Sequence, residues 1–244
     1  MKKYSKDNRV VFNQENHSYF LGDKKLISVT TILSKFKNEF DSDYWSKKIA
    51  ERENTTQEII LKKWKDKAFK STEIGTAIHK IFEDYVNNNY SVLNERLVFQ
   101  FNELNPEFYL EFNQKKDVVL RFINDFFVSK RLKPLESEFI VYNDFLAGQI
   151  DMICKDSNNN FYILDFKTNE KIEGNSYGKK MKGIFNDLND CSFYHYCIQL
   201  SIYKKILKEY EINKMFLIHI TTEKYNFIEC FDAMENINVI DLLK

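Results

Sequence analysis

The sequence predicts an α/β fold: a mixed central β-sheet flanked by helices, with an N-terminal hairpin and helical elaboration. Three observations carry this expectation. Hydrophobic periodicity in the second half of the chain runs helix, three strands, helix, strand, an order that builds a sheet covered by helices. Turn formers punctuate those strands at Asn143-Asp144 and at Asp156-Ser157-Asn158-Asn159-Asn160. Finally, 244 residues with 43% hydrophobic and 16% aromatic side chains, but only 2 Pro and 6 Gly, supply a sizeable core and few chain breakers.

Element by element, Val10 to Phe12, Tyr19 to Leu21 and Leu26-Ile27 alternate like short strands, separated by Asn13, Asn16 and Gly22-Asp23. Ser28 is placed to cap a short helix running to Phe36, and Asp41 or Asp43 to cap a second around Tyr44 to Arg52. Thr56 to Val86 keeps a helical pattern with an expected break near Lys70 to Gly75. A third helical block runs from Pro106 to about Arg131, with Val118, Val119, Phe122, Ile123, Phe126 and Phe127 at helical spacing. Leu135 to Tyr142, Phe145 to Cys154 and Phe161 to Lys167 then read as a meander. A loop containing Gly and Lys leads to an amphipathic helix from Cys191 to Tyr210, a strand from Lys214 to Thr222 and another from Tyr225 to Phe231. No repeat or flexible linker divides the chain, so one domain is expected: 1–70 as the elaboration, 71–222 as the core, 223–244 as a C-terminal strand and tail.

Charge excludes little, because 36 Lys+Arg balance 36 Asp+Glu, and any nucleic-acid contact must come from local patches. The Lys-rich stretches at Lys62 to Lys67 and at Lys179, Lys180 and Lys182 are solvated faces or such patches. No apolar run approaches the roughly 20 residues of a membrane helix, and Met1-Lys2-Lys3 is followed by polar residues, so a soluble, cytoplasmic protein without membrane contact is expected. Cys154, Cys191, Cys197 and Cys230 form no C-x-x-C pair, which suggests neither a zinc ribbon nor a disulfide framework.

The chemistry concentrates at Asp151, Asp165 and Lys167. A turn symmetric about Asn158 sets Asp151 opposite Asp165, where two carboxylates repel unless a cation lies between them. Lys167, two residues on, shares the face of Asp165. With a two-residue turn at Asn143-Asp144, Glu136 falls opposite Asp151 and Glu138 opposite Gln149, and both glutamates point to the same face, Glu136 reading more as a surface acid than a ligand. Oxygen-rich sets suit Mg²⁺ or Mn²⁺ rather than zinc. Such an ion with a neighbouring lysine is the equipment of phosphodiester hydrolysis. A bare D-x-K recurs by chance, and on its own it reads as an exposed strand pair, with Asp151 an ordinary acid beside a turn.

Further motifs stand around it in order: Gly75-Thr-Ala-Ile-His79 continuing to Glu83, then Glu138, Gly148-Gln-Ile-Asp151, Asp165-Phe-Lys-Thr168 and Gln199-Leu-Ser-Ile-Tyr203. In this order they resemble the PD-(D/E)XK nuclease superfamily, specifically its RecB-like exonuclease branch. The opening segment His17-Ser-Tyr19 with Ser28 to Leu33 is similar to that of phage and mitochondrial genome-maintenance exonucleases. The resemblance implies a restriction-endonuclease-like core. It also implies that His79, Asp151, Asp165 and the carbonyl of Phe166 bind Mg²⁺ (or Mn²⁺), that Lys167 assists the attacking water with Glu138 nearby, and that Gln199 and Tyr203 line the DNA side. Glu83 reads as a partner behind the metal or as helix surface.

The loop Gly174 to Lys182 lacks the spacing and the Ser/Thr of a phosphate loop, so no ATP is expected and any motor would be a separate helicase or recombination protein. Lys179, Lys180 and Lys182 suit backbone phosphates instead. The cysteine pattern of iron-sulfur members of the branch is missing, so no cluster is expected. Phe36, Phe40, Tyr44, Trp45 and Trp64 either pack the N-terminal helices or stack bases. The expected activity is metal-dependent DNA exonuclease action in phage or bacterial DNA replication, recombination or repair. A structure-specific or restriction-type endonuclease and an inactive DNA-binding module remain as alternatives.

Overall fold

The computed structural model describes residues 2–87 and 106–244. Its strands are β1 (Lys2–Tyr4), β2 (Val10–Asn13), β3 (Ser18–Leu21), β4 (Lys24–Ser28), β5 (Lys133–Tyr142), β6 (Leu146–Lys155), β7 (Phe161–Lys167), β8 (Ile212–Ile220) and β9 (Tyr225–Cys230). The helices are α1 (Val29–Ser34), α2 (Ser42–Glu53), α3 (Gln57–Val86), α4 (Pro106–Phe122) and α5 (Ser192–Ile206). The strands join in the order β1-β2-β3-β4-β6-β7-β8-β9, and β5 pairs the other edge of β6. The sheet is mixed, because β4 runs parallel to β6 and β7 parallel to β8 while the remaining pairs are antiparallel.

Two hydrophobic layers close on this sheet. Ile74, Ile78 and Phe82 of α3 and Val119 and Phe122 of α4 pack on Met152, Leu164, Phe166 and Ile218. On the opposite face, α1 and α5 supply Ile32, Ile198, Ile202 and others against Ile150, Ile153, Ile163 and Leu217. Phe82 and Phe166 stack at a ring separation of 3.6 Å, which ties the middle of α3 to the strand carrying the D-x-K motif. Among the described residues no helix is long and apolar enough to cross a membrane.

Local chemistry accounts for most boundaries. The Ser28 hydroxyl accepts the Thr31 N–H at 3.0 Å and caps α1, and Asp41 caps α2 through the Tyr44 N–H at 2.9 Å. Four boundaries differ from expectation. The helix expected to break between Lys70 and Gly75 is continuous. That stretch holds no proline, and Gly75 faces Thr168, whose Oγ1 would lie 3.4 Å from an added Cβ. The block after Pro106 is α-helical only to Phe122 and winds as π-helix over Ile123–Val128. α5 stops at Ile206, because Leu207 turns extended (ψ 124°). β1 was not foreseen; it pairs β2 through Lys3↔Phe12 and completes an N-terminal meander.

Candidate active site

The β6–β7 ladder obeys the symmetry expected about Asn158, with Met152↔Leu164 and Ile153↔Ile163 in register, but it ends there. Beyond it the Asp151 carboxylate takes a main-chain donor: its Oδ2 accepts the Phe166 N–H at 2.8 Å. On the same edge of β6, β4 pairs only Leu146 and Ala147. Gly148 to Asp151 therefore form an opening between β4 and β7. Side-chain alternation also changes phase here, since Ile150 and Ile153 both belong to the α5-side core while Met152 belongs to the other.

The β5–β6 register corrects the expected placement of the glutamates. The pairs Ser137↔Met152 and Phe139↔Ile150 bracket Glu138 and Asp151, and Glu136 pairs Ile153. The offset arises because the turn is wider than two residues: Asn143 N–H donates to the Leu146 carbonyl at 2.9 Å, and its Oδ1 accepts the Phe145 and Leu146 N–H groups. Glu136 is thus not opposite Asp151 and does not join the cluster. It accepts from Lys6 at 2.6 Å and from the Tyr210 hydroxyl at 3.0 Å. Glu138, not Glu136, stands beside Asp151, and it does so in a left-handed conformation (φ 51°) that non-glycine residues adopt at a cost.

His79 reaches this strand pair from α3. Its Nε2 lies 2.9 Å from the Phe166 carbonyl oxygen, so an Nε2–H donated to that oxygen holds the ring. Nδ1 then faces Asp151 Oδ2 at 3.5 Å and Glu138 Oε1 at 3.9 Å. One ligand atom from each of His79, Glu138 and Asp151 lies within 4.8 Å of the others. Burial disfavours the charged ring, but the negative charge of Asp151 and the hydrogen bond to Glu138 outweigh it, and the His79 pKa is pushed up to about 9. An imidazole held by a carbonyl at one nitrogen and facing two carboxylates with the other fits a hard divalent cation.

Asp165 is 3% exposed and lies outside that triple, its Oδ2 2.5 Å from Lys167 Nζ. Burial raises the Asp165 pKa to about 6, with Lys167 opposing the rise and Asp151 reinforcing it. Beyond that contact with the Lys167 ammonium, Asp165 Oδ2 has no hydrogen-bond partner. Burial pushes the Lys167 pKa down, yet Asp165 and Asp151 outweigh it and hold it well above the usual lysine range. Its ammonium also lies 4.6 Å from the centroid of the Tyr196 ring. A lysine held charged in this way donates hydrogen bonds and stabilises negative charge; it does not take up protons.

The remaining candidates divide. Gln199 Nε2 donates to the Tyr203 hydroxyl at 3.0 Å, so the pair works as one unit on α5. Tyr203 presses on Gly148 so closely that an added Cβ would sit 2.3 Å from its ring, the physical reason for glycine there. Glu83 is joined to the cluster indirectly, through Lys3, whose Nζ is 3.1 Å from Glu83 Oε1 and 3.8 Å from Glu138 Oε2. Nothing in a Lys-rich terminus shows that Lys3 will reach Glu83 on α3 and Glu138 on β5. Lys180 is engaged by the Asp187 carbonyl and Asn189, the Lys182 N–H donates to the Phe36 carbonyl, and Lys179 pairs through its backbone with Ser176 and Asp190. These contacts fold the loop on itself and on the segment after α1. Of the N-terminal aromatics, Phe36 packs on Phe185, whereas Phe40, Tyr44 and Trp45 are exposed, with Lys48 over the last two rings.

Residues 42–241 match the family described as PDDEXK-like domain of unknown function (DUF3799). The chain belongs to that family. Its mixed sheet flanked by helices is the nuclease-type fold of the family. No curated protein matches. Among solved structures, one named "Putative exonuclease" from Eubacterium rectale is similar over 99% of this chain and 85% of that one, with 15% identity and a TM-score of 0.47. Another, named SSO0001, is similar over 61% of this chain and 66% of that one, with 16% identity and a TM-score of 0.28.

Proposed function

We propose that the protein is a metal-dependent DNA exonuclease that hydrolyses phosphodiester bonds with Mg²⁺ or Mn²⁺. The observation that carries this reading is the convergence of His79, Glu138 and Asp151 beside the Asp165–Lys167 pair at the open edge of β6. His79, Glu138 and Asp151 would hold the ion. When bound, the ion polarises the scissile phosphate and lowers the pKa of a coordinated water. The Phe166 backbone orients the set from both sides: its N–H fixes Asp151 and its carbonyl fixes the His79 ring. Lys167, held charged, orients the water and offsets the charge that builds on the phosphate. Gln199 and Tyr203 bound the site on the α5 side, where DNA enters.

The activity belongs to phage or bacterial DNA replication, recombination or repair in the cytoplasm of a bacterial host cell, with strand opening supplied by a separate helicase or recombination protein. The test incubates the protein with end-labelled linear single-stranded, linear duplex and circular single-stranded DNA in Mg²⁺, Mn²⁺ or EDTA, alongside Lys167→Ala. Metal-dependent loss of linear substrates only, abolished in the variant, is expected. Cutting of circles would make the protein an endonuclease. DNA binding without cleavage under either metal would reduce it to a binding module.

A further inference from the structure

The opening on β6 contains more than the reacting groups. On the side of β4, reaching Gly148 and Gln149 of that opening, lies a cavity of about 360 Å³. One wall is the β2–β3 meander, with the rings of Phe12, His17 and Tyr19, and the floor is Gly148 and the Tyr203 ring. Neutral hydrogen-bonding side chains complete it: Asn16, Gln149, and the Ser28, Thr30 and Thr31 hydroxyls at the start of α1. No lysine, arginine or carboxylate lines it, so its chemistry does not suit a phosphate or a metal. Phe12 and Tyr19 are buried and stacked on each other and the Tyr203 ring packs on Gly148, so the exposed His17 ring is the aromatic face on offer; with the amides and hydroxyls around it, it suits the π-face and edges of a nucleobase and the hydroxyl of a sugar.

Size and position narrow the occupant further. Ligand cavities run from about 300 to 1,000 Å³, and this one is at the small end, room for a nucleoside rather than for a continuing strand. It is built from the same residues that frame the reacting groups. Gln149 Nε2 donates to the carbonyl oxygen of Glu138 at 3.0 Å, and the Tyr203 ring reaches the floor only because residue 148 has no Cβ. By contrast, the larger cleft between α3, α4 and residues 168–173 balances its charges internally, through Lys67–Glu170, Lys70–Glu111 and Lys115–Glu111, and offers a strand no net attraction.

We propose that this cavity takes the terminal nucleoside of the strand being cut, so that the phosphodiester next to it lies at His79, Glu138 and Asp151. The inference rests on the nuclease reading of that site and supplies what the reading lacks, a reason for requiring a free end.

The test measures affinity in EDTA, where no turnover occurs, by fluorescence anisotropy of labelled single strands carrying an abasic unit at the terminal or at the fourth position from either end. A terminal base stacked in the cavity contributes about 1–3 kcal/mol, so its removal at one end lowers affinity about 5- to 150-fold, while the fourth-position unit leaves it within about twofold. Thr30→Phe, which fills the cavity from an exposed position, and Asn16→Ala, which deletes a polar contact, are expected to erase the difference; thermal melting verifies that each variant folds. Equal effects at terminal and fourth positions, absence of DNA binding, or discrimination unchanged in both variants would overturn the proposal. Cleavage of linear DNA without terminal discrimination sinks the cavity's role alone. Terminal discrimination without cleavage under either metal sinks the hydrolytic reading and leaves the nucleoside cavity standing.

Discussion

Glu136 and Glu138 are two residues apart on the same strand, and each is met by a lysine from the N-terminal segment, yet they lead different lives. Glu136 accepts from Lys6 and Tyr210 at a surface where the Lys6 side chain is 57% exposed. Glu138 sits with His79 and Asp151, in a left-handed backbone conformation, with Lys3 beside it. A paired acid at ordinary backbone angles is satisfied. An acid held at an unfavourable angle against a second carboxylate is charge that the fold maintains for a ligand. The difference teaches that strand parity does not pick out a site; what does is the place where the ladder stops and side chains lose their regular neighbours.

Breaking the cluster itself should have the largest effect. Asp151→Asn is expected to reduce nuclease activity to background, and Lys167→Ala to lower kcat about 10²–10³-fold, both read by single-turnover cleavage of linear DNA. Restored cutting by Lys167→Ala at wild-type rates would remove the lysine from the chemistry. Glu138→Gln should weaken Mn²⁺ binding about 10–100-fold in isothermal titration, while Glu136→Gln leaves it unchanged; equal losses would erase the distinction between the two glutamates.

A second experiment sharpens the comparison through pH. In the metal-free protein the His79 pKa is raised to about 9 from its ordinary 6.5, so the folded state binds more protons than the unfolded state between those values. The stability it contributes is complete below pH 6.5 and lost as pH rises through about 9. Denaturant titrations of His79→Gln should show that this slope is gone. Because an ion must displace the ring proton, Mn²⁺ affinity in the wild type should climb over the same window.

Smaller effects concern support. Gly148→Ala drives a Cβ into Tyr203 and should cost about 1–3 kcal/mol, read from urea unfolding. Glu136→Gln should change stability by no more than about 1 kcal/mol, the range of an exposed ion pair.

Much of this was legible in one dimension. Hydrophobic period, turn residues and caps marked β2 to β9 and the presence of each helix, because each is a local preference, although α3 runs on without the expected break and α4 gives way to π-helix after Phe122. The β7 register about Asn158 was equally readable, since a short polar turn leaves little choice. The β5 register was not: Asn143 widens the turn with its own side chain, and that shift exchanges Glu136 for Glu138. Lys3 was invisible for a related reason, its contacts to Glu83 and Glu138 joining residues far apart in the chain.

The sequence by itself determined the element order, the caps at Ser28 and Asp41, and the residue types gathered at the site, because propensity, periodicity and spacing are written in neighbouring residues. The tertiary structure alone decided which carboxylates meet, that Lys167 stays charged against Asp165, and that β4 and β7 leave a gap on β6 wide enough for a cavity. Those outcomes depend on where ladders end and on the low-dielectric surroundings that burial creates, and neither exists until distant strands are brought together.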